Sequence, residues 1–394
     1  MTEIAFGRPV AGAPEAESQL ARWWRTVDRW TLAAVLGLTV IGLVVGMAAS
    51  APLAERNGLP WHYYVTRQAV FAALGLGAMV WVSMQPLRMV RRLAVLGFVG
   101  ALAVVAALPL IGTDFGKGAV RWISVAGVSM QPSEFLKPAF AVTAAWLMAG
   151  ALERHGPPGR FLSFMLAVLC AFLLAMQPDF GQAALLLAVW GAMYWAAGAS
   201  AFLLAGIGGL VAGAGAFAYG SSQHFARRID GFLAPEVDPR TQLGYATTAI
   251  QEGGIFGVGA GAGSVKNTLP DAHTDFIIAV AAEEFGLLVC LLVIGLYLSI
   301  VLRALFRLVE ERDAFARLAG TGLAALMGLQ AFVNLGVAIR LLPAKGMTLP
   351  FVSYGGSSLL AAGIAMGALL AMTRKRPQAD VTELMGAGLT DSGR

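Results

Sequence analysis

Residues 269–284 read Leu-Pro-Asp-Ala-His-Thr-Asp-Phe-Ile-Ile-Ala-Val-Ala-Ala-Glu-Glu. Four carboxylates (Asp271, Asp275, Glu283 and Glu284) and His273 stand where a long connection runs into an apolar stretch reaching to about residue 303. A run of about 20 apolar residues is long enough to span a bilayer as a helix. Ionisable groups that close to hydrocarbon are costly, so they line a wet cavity and carry function by default. This stretch therefore predicts a membrane helix with a polar site at its outer end.

Outward from it, the rest of the chain repeats the apolar pattern. Hydrophobic residues make up 58% of the 394 and charged residues 13%, with a mean hydropathy of +0.71. An ordinary soluble domain carries about 25% charged residues. Ten stretches qualify as spans: 31–50, 63–83, 92–111, 133–151, 161–176, 180–197, 200–219, 275–303, 315–337 and 354–373. The expected fold is an all-α integral membrane protein of about ten transmembrane helices, with a long extracytoplasmic loop between helices 7 and 8. Its organisation reads as an N-terminal tail (1–30), a membrane domain (31–373, with 220–274 as the large loop) and a C-terminal tail (374–394).

Ten crossings put both tails on one side. Lys and Arg are concentrated in the tails and in short loops on that side, which the positive-inside rule assigns to the cytoplasm. The net charge of +5 is thus topological and does not point to nucleic acid. Cys170 and Cys290 sit inside apolar runs and read as buried hydrophobes, neither disulfide nor metal pair. The first apolar run lacks a small-residue cleavage pattern and reads as an uncleaved anchor.

Two outer loops, 112–132 and 220–274, frame the candidate chemistry; long loops in compact proteins are commonly functional, and the second reads as a folded lid. Asp275 has two readings. It can be a helix-cap neighbour favoured by the dipole, or a general base at the membrane surface. At about 100° per residue, Glu283 lies about 80° around the helix from Asp275 and Glu284 about 180°. Glu283 is then the cavity candidate, and Glu284 the partner of a basic group on a neighbouring helix. Glu134 and Lys137 share a face at a spacing of three, and Pro138 removes a bond to the Glu134 carbonyl. They form either a structural ion pair or, with Lys117 and Arg121, a floor for an anionic headgroup. Asp179 is a third outer acid or a turn-stabilising residue. Gly253–Lys266, rich in glycine, lacks the flanking strand of a nucleotide loop, which leaves tight backbone packing or a nest for a lipid-linked pyrophosphate. The small residues of 345–358 allow close helix packing or offer backbone donors to the cavity.

Taken in order, four segments resemble the SEDS family (shape, elongation, division and sporulation). They are Gly118-Ala-Val-Arg121-Trp122-Ile123 with Gln131-Pro-Ser-Glu134; Gln177-Pro-Asp179; Leu269-Pro-Asp-Ala-His273-Thr-Asp275-Phe276 with Glu283-Glu284; and Lys345-Gly-Met-Thr348-Leu-Pro350 with Ser353-Tyr-Gly-Gly-Ser357-Ser358. The likeness covers about residues 30–373. Arg227-Arg228-Ile229, Phe232-Leu-Ala-Pro235-Glu236 and Thr348 favour the cell-division branch over the elongation branch. Asp271 stands where many members carry glutamate.

The resemblance implies a peptidoglycan glycosyltransferase that polymerises lipid II at the outer face of the bacterial cytoplasmic membrane, at the division septum. It implies Asp275 as general base, with Arg121, Trp122, Glu134, Lys137, Asp179, His273, Glu283, Lys345, Ser353 and Ser357 binding substrate. A divalent cation (magnesium or manganese) is compatible with it, and no nucleotide or redox cofactor is expected. The implied partners are lipid II, membrane lipids, a class B penicillin-binding protein and other division proteins. A lipid II flippase and a non-catalytic division scaffold are the competing readings. The first needs a polar path through the bundle, whereas the second needs no base at Asp275.

Overall fold

The computed structural model describes residues 18–375, apart from 114–119, 126–127, 154–155, 222, 235–237 and 344–345. Its helices run in chain order as α1 (Gln19–Thr26), α2 (Arg29–Arg56), α3 (Tyr63–Met84), α4 (Leu87–Ile111), α5 (Pro132–Gly150), α6 (Gly159–Met176) and α7 (Phe180–Ala196). They continue as α8 (Ala201–Ser221), α9 (Gln223–Leu233), α10 (Gln242–Gly253), α11 (Ile277–Val309), α12 (Ala314–Ala338) and α13 (Gly356–Thr373). All ten apolar stretches fall on helices, α2–α8 and α11–α13. Eight of these are long and apolar enough to cross a membrane, α7 is a shorter apolar helix of 17 residues, and α5 carries Glu134 and Lys137 within its 19. The chain is a multi-pass membrane protein. In lipid only a helix satisfies its own backbone groups, which is why these runs fold alike.

Apolar side chains all round a helix serve two different surroundings. On α5, α12 and α13 they pack inward, with Phe140, Met148, Leu318, Met366 and Leu369 nearly or fully buried. On α8 they stay outside, with Phe202, Leu210 and Phe217 exposed. Small residues bring α13 against α3: a Cβ at Gly363 would stand 2.1 Å from the Gly75 carbonyl oxygen, and one at Gly367 2.5 Å from that of Met79. The departure from an all-helical pattern is a small antiparallel ribbon in the first outer loop, β1 (Ile123–Val125) against β2 (Val128–Met130).

The tail expected over 1–30 is partly helical, since α1 docks on α3 through Trp23, whose indole donates to Ser83 Oγ at 2.8 Å. Asp28 accepts from Arg303 at 3.0 Å and lies 3.4 Å from Arg307, and the Thr26 carbonyl accepts from the Lys375 amide at 3.2 Å. Both described ends of the chain therefore meet at one end of the bundle. Residues 1–17 and 376–394 lie outside the described part.

The 220–274 connection is folded, with α9, α10 and a 3-10 turn at Val265–Asn267. Its glycine-rich segment fills a break in α11, where Gly286 takes φ +78°. The Val258 and Gly259 amides donate to the Glu283 and Glu284 carbonyls at 2.9 and 3.1 Å, and the Leu287 amide donates to the Gly254 carbonyl at 3.0 Å. The loop thus satisfies groups that the break would otherwise orphan. Side chains have no room here: a Cβ at Gly257 would lie 2.2 Å from the Glu284 carbonyl oxygen. Of the two readings of this segment, tight backbone packing is the one observed.

Candidate active site

At the end of the bundle opposite the described chain ends, α11 begins at Ile277, two residues later than the sequence suggests. Asp275 sits instead in the turn before it, residues 271–276. The turn closes on itself through the Thr274 and Asp275 amides, both donating to the Asp271 carbonyl at 3.1 Å. Asp271 takes φ +53°, a left-handed conformation that aspartate tolerates better than most residues. The cap position of α11 is Phe276, which makes no side-chain cap bond.

Three tethers from other elements fix the turn. Asn334 of α12 donates to the Asp275 carbonyl at 2.9 Å and also to the Met347 carbonyl. Ser353 donates its hydroxyl to the Thr274 carbonyl while accepting from the Leu349 amide at 2.9 Å. The Tyr354 amide donates to the His273 carbonyl at 2.9 Å. The backbone on both sides of Asp275 is therefore held, with its carboxylate half-buried beside Gly346. His273 packs among Tyr64 and Tyr354, with ring centroids 6.1 and 5.5 Å away.

One helical turn from Asn334, Gln330 links this turn to a buried polar cluster. It donates to the Thr348 carbonyl at 3.1 Å and accepts from Lys137 at 3.1 Å. Lys137 also donates to Glu134 at 2.9 Å, and Glu134 accepts from Gln182 at 3.0 Å. Lys137 is only 2% exposed, so the structural ion pair is formed and the ammonium is not an open floor for a headgroup. Arg121 donates to the Gln177 and Pro178 carbonyls at 3.0 and 2.6 Å, with Asp179 Oδ1 3.8 Å away. Burial pushes the Asp179 carboxyl above the ordinary aspartate value, against the pull of Arg121 and Lys137. Because Arg121 spends its hydrogen bonds on carbonyls, its charge is only partly matched by Asp179.

The other expected site residues are placed less centrally. The Trp122 carbonyl accepts from the Thr113 amide at 2.8 Å in an isolated bridge beside the ribbon, and Ser357 accepts from the Gln131 amide at 3.2 Å. Glu283 is a correction. Its carboxylate is fully buried and accepts from the Val265 and Lys266 amides at 2.7 and 3.1 Å, so it anchors the 3-10 turn and does not face a cavity. Glu284 does pair with a base, but this is Lys266 of the same turn and not a group on a neighbouring helix. Lys345 and Lys117 lie outside the described residues.

Gln182, Gln330 and Asn334 went unnoticed in the sequence. Their signal was present, since an uncharged amide buried within an apolar helix must find a partner, and 330 and 334 are spaced to share a face.

Comparison with known proteins identifies the family. The family model described as Cell cycle protein, FTSW_RODA_SPOVE, matches residues 29–378. A relative from Caulobacter vibrioides (strain NA1000 / CB15N), named "Probable peptidoglycan glycosyltransferase FtsW", is 42% identical over 361 residues, covering 91% of this chain and 92% of the relative. A solved structure titled "Structural coordination of polymerization and crosslinking by a peptidoglycan synthase complex" holds a chain with 26% identity and a TM-score of 0.72, covering 88% of this chain and 97% of its own. The Thermus thermophilus rod shape determining protein RodA superposes with a TM-score of 0.65 at 25% identity, covering 89% of this chain and 97% of its own.

Proposed function

The chain belongs to the FtsW/RodA/SpoVE family of cell cycle proteins, and on that footing we propose that it is a peptidoglycan glycosyltransferase that polymerises lipid II, with Asp275 as general base. The acceptor's sugar 4-hydroxyl attacks the anomeric carbon of the donor and forms the new glycosidic bond. The bond from that carbon to undecaprenyl pyrophosphate breaks, and the hydroxyl proton passes to the Asp275 carboxylate. A single displacement inverts the donor's α linkage to β. General-base assistance of this kind contributes typically about 10²–10⁴-fold. The observation that carries the reading is the tethering of the Asp275 turn by Asn334, Ser353 and the Tyr354 amide, because a base must be held in place to act.

Charge developing on the leaving pyrophosphate falls to Arg121, whose guanidinium is half-buried and incompletely matched by acid. Among the described residues no three His, Cys, Asp or Glu side chains converge as a metal set. Were a magnesium or manganese ion to bind, carboxylates at this end of the bundle would hold it, and it would supply neutralisation of the charge on the leaving pyrophosphate. By this reading both termini are cytoplasmic, the Asp275 turn faces outward at the division septum, and a class B penicillin-binding protein is the cross-linking partner. The 42% identical relative named FtsW supports the division branch.

The experiment is polymerisation of purified lipid II by the purified protein together with its class B penicillin-binding protein, comparing wild type with Asp275→Asn. Glycan chains from the wild type and a loss of about 10²-fold or more in the variant are expected. An active variant removes Asp275 as the base. No chains from either folded complex would shift the assignment to a flippase or scaffold.

A further inference from the structure

Helix α1 is amphipathic over a wider arc than the protein covers. On a helical wheel of about 100° per residue, Leu20, Trp23 and Trp24 share one side, and Arg22 and Arg25 share the other. The bundle covers only one edge of the apolar arc, where Trp23 is 6% exposed and bonded to Ser83. Leu20 and Trp24 remain 60% and 50% exposed. Immediately beyond, at the start of the membrane-crossing α2, Trp30 is 71% exposed. Arg22, Arg25 and Arg29 are exposed along the same segment, and the Arg29 guanidinium lies 5.3 Å over the Trp24 ring.

The one carboxylate of residues 18–30, Asp28, is 3% exposed and turned inward to Arg303 and Arg307. The same residues present outward three exposed arginines and three exposed apolar side chains. Only two residues, Val27 and Asp28, separate α1 from a helix that crosses the membrane. That distance keeps α1 at the bilayer surface, where indole rings sit at headgroup level and arginines meet phosphates.

We propose that α1 and the first turn of α2 form a binding site for anionic phospholipids, with Leu20, Trp24 and Trp30 in the boundary between headgroups and acyl chains and Arg22, Arg25 and Arg29 on the headgroup phosphates. The site is independent of the glycosyltransferase reading. Each basic residue near an anionic leaflet enriches negative lipid roughly fivefold, so three together distinguish an anionic from a neutral bilayer clearly. The enrichment weakens with salt because the arginines are exposed.

The test uses the full-length protein in nanodiscs containing brominated phosphatidylglycerol or brominated phosphatidylcholine at equal mole fraction, with tryptophan quenching as the readout. Subtracting the Trp24→Phe/Trp30→Phe variant isolates the two rings at issue. In the wild type, brominated phosphatidylglycerol should quench that fraction at least about twofold more than brominated phosphatidylcholine. The excess should vanish in Arg22→Gln/Arg25→Gln/Arg29→Gln and shrink on adding salt. The buried Trp23–Ser83 contact is untouched in every variant, so equal melting temperatures establish that α1 is still docked. Equal quenching by the two lipids, or an excess that survives in the triple variant, overturns the proposal. Quenching of that fraction by neither lipid also overturns it and places a protein partner or water against that face.

Discussion

Asn334 is the residue whose loss best separates position from fold. Its amide joins the Asp275 carbonyl to the Met347 carbonyl, so Asn334→Ala frees the Asp275 turn from the 346–354 segment without touching the carboxylate. The expected result is a fall in kcat of about 10²-fold with KM for lipid II little changed, since a displacement of about 1 Å is enough to cost that much. Steady-state kinetics alongside melting temperature checks it; loss of fold and activity together would mark a purely structural role. At this scale the sequence located charges near a membrane boundary, as with Asp275, Asp179 and Arg121, which the structure places at the same end of the bundle. It was not legible for Glu283, because helix periodicity gives a direction but not what occupies it. There, two amides from residues 265 and 266 claim the carboxylate. Nor does sequence distance suggest that Lys137 and Gln330 meet.

Elements fail or hold by their breaks and clamps. Gly286 combines φ +78° with a neighbour 2.3 Å from where a Cβ would stand, the Ile255 carbonyl oxygen. Gly286→Ala should cost about 3 kcal/mol, read as a lowered midpoint in thermal unfolding of the detergent-solubilised protein. The Asp28 clamp makes a different prediction. Burial pushes its carboxyl pKa up, but hydrogen bonding from Arg303 and the charge of Arg307 outweigh this and leave it below the ordinary value of 3.8. A depressed carboxylate stabilises the fold fully above its unfolded value and loses that contribution as pH falls through the folded one. Asp28→Asn should therefore cost about 2 kcal/mol near neutral pH, with a gap to wild type that closes in strong acid. The ten apolar stretches all fall on helices because hydrocarbon sets a minimum apolar length, but the ends of α2, α4 and α11 run five or six residues further, where segments that include polar residues continue the helix outside the apolar run. The ribbon and α1 escaped, being far shorter than the run of about 20 apolar residues that marks a span.

At the scale of the molecule, the meeting of Thr26 and Lys375 requires both described ends to share a side. Ser18→Cys and Lys375→Cys, in a background with Cys170→Ser and Cys290→Ser, should be labelled by an impermeant maleimide from the same side of sealed vesicles. Labelling from opposite sides would contradict the fold. The two native cysteines are buried and free, so their removal should leave the protein intact. The broken α11 adds a constraint on how such a chain is made. Synthesis proceeds from the N-terminus, and residues 253–259, which bridge the gap, precede residues 283–288, which contain it. The splint is thus translated before the fracture, and α11 never has to wait in lipid for a later segment to cover its exposed amides and carbonyls.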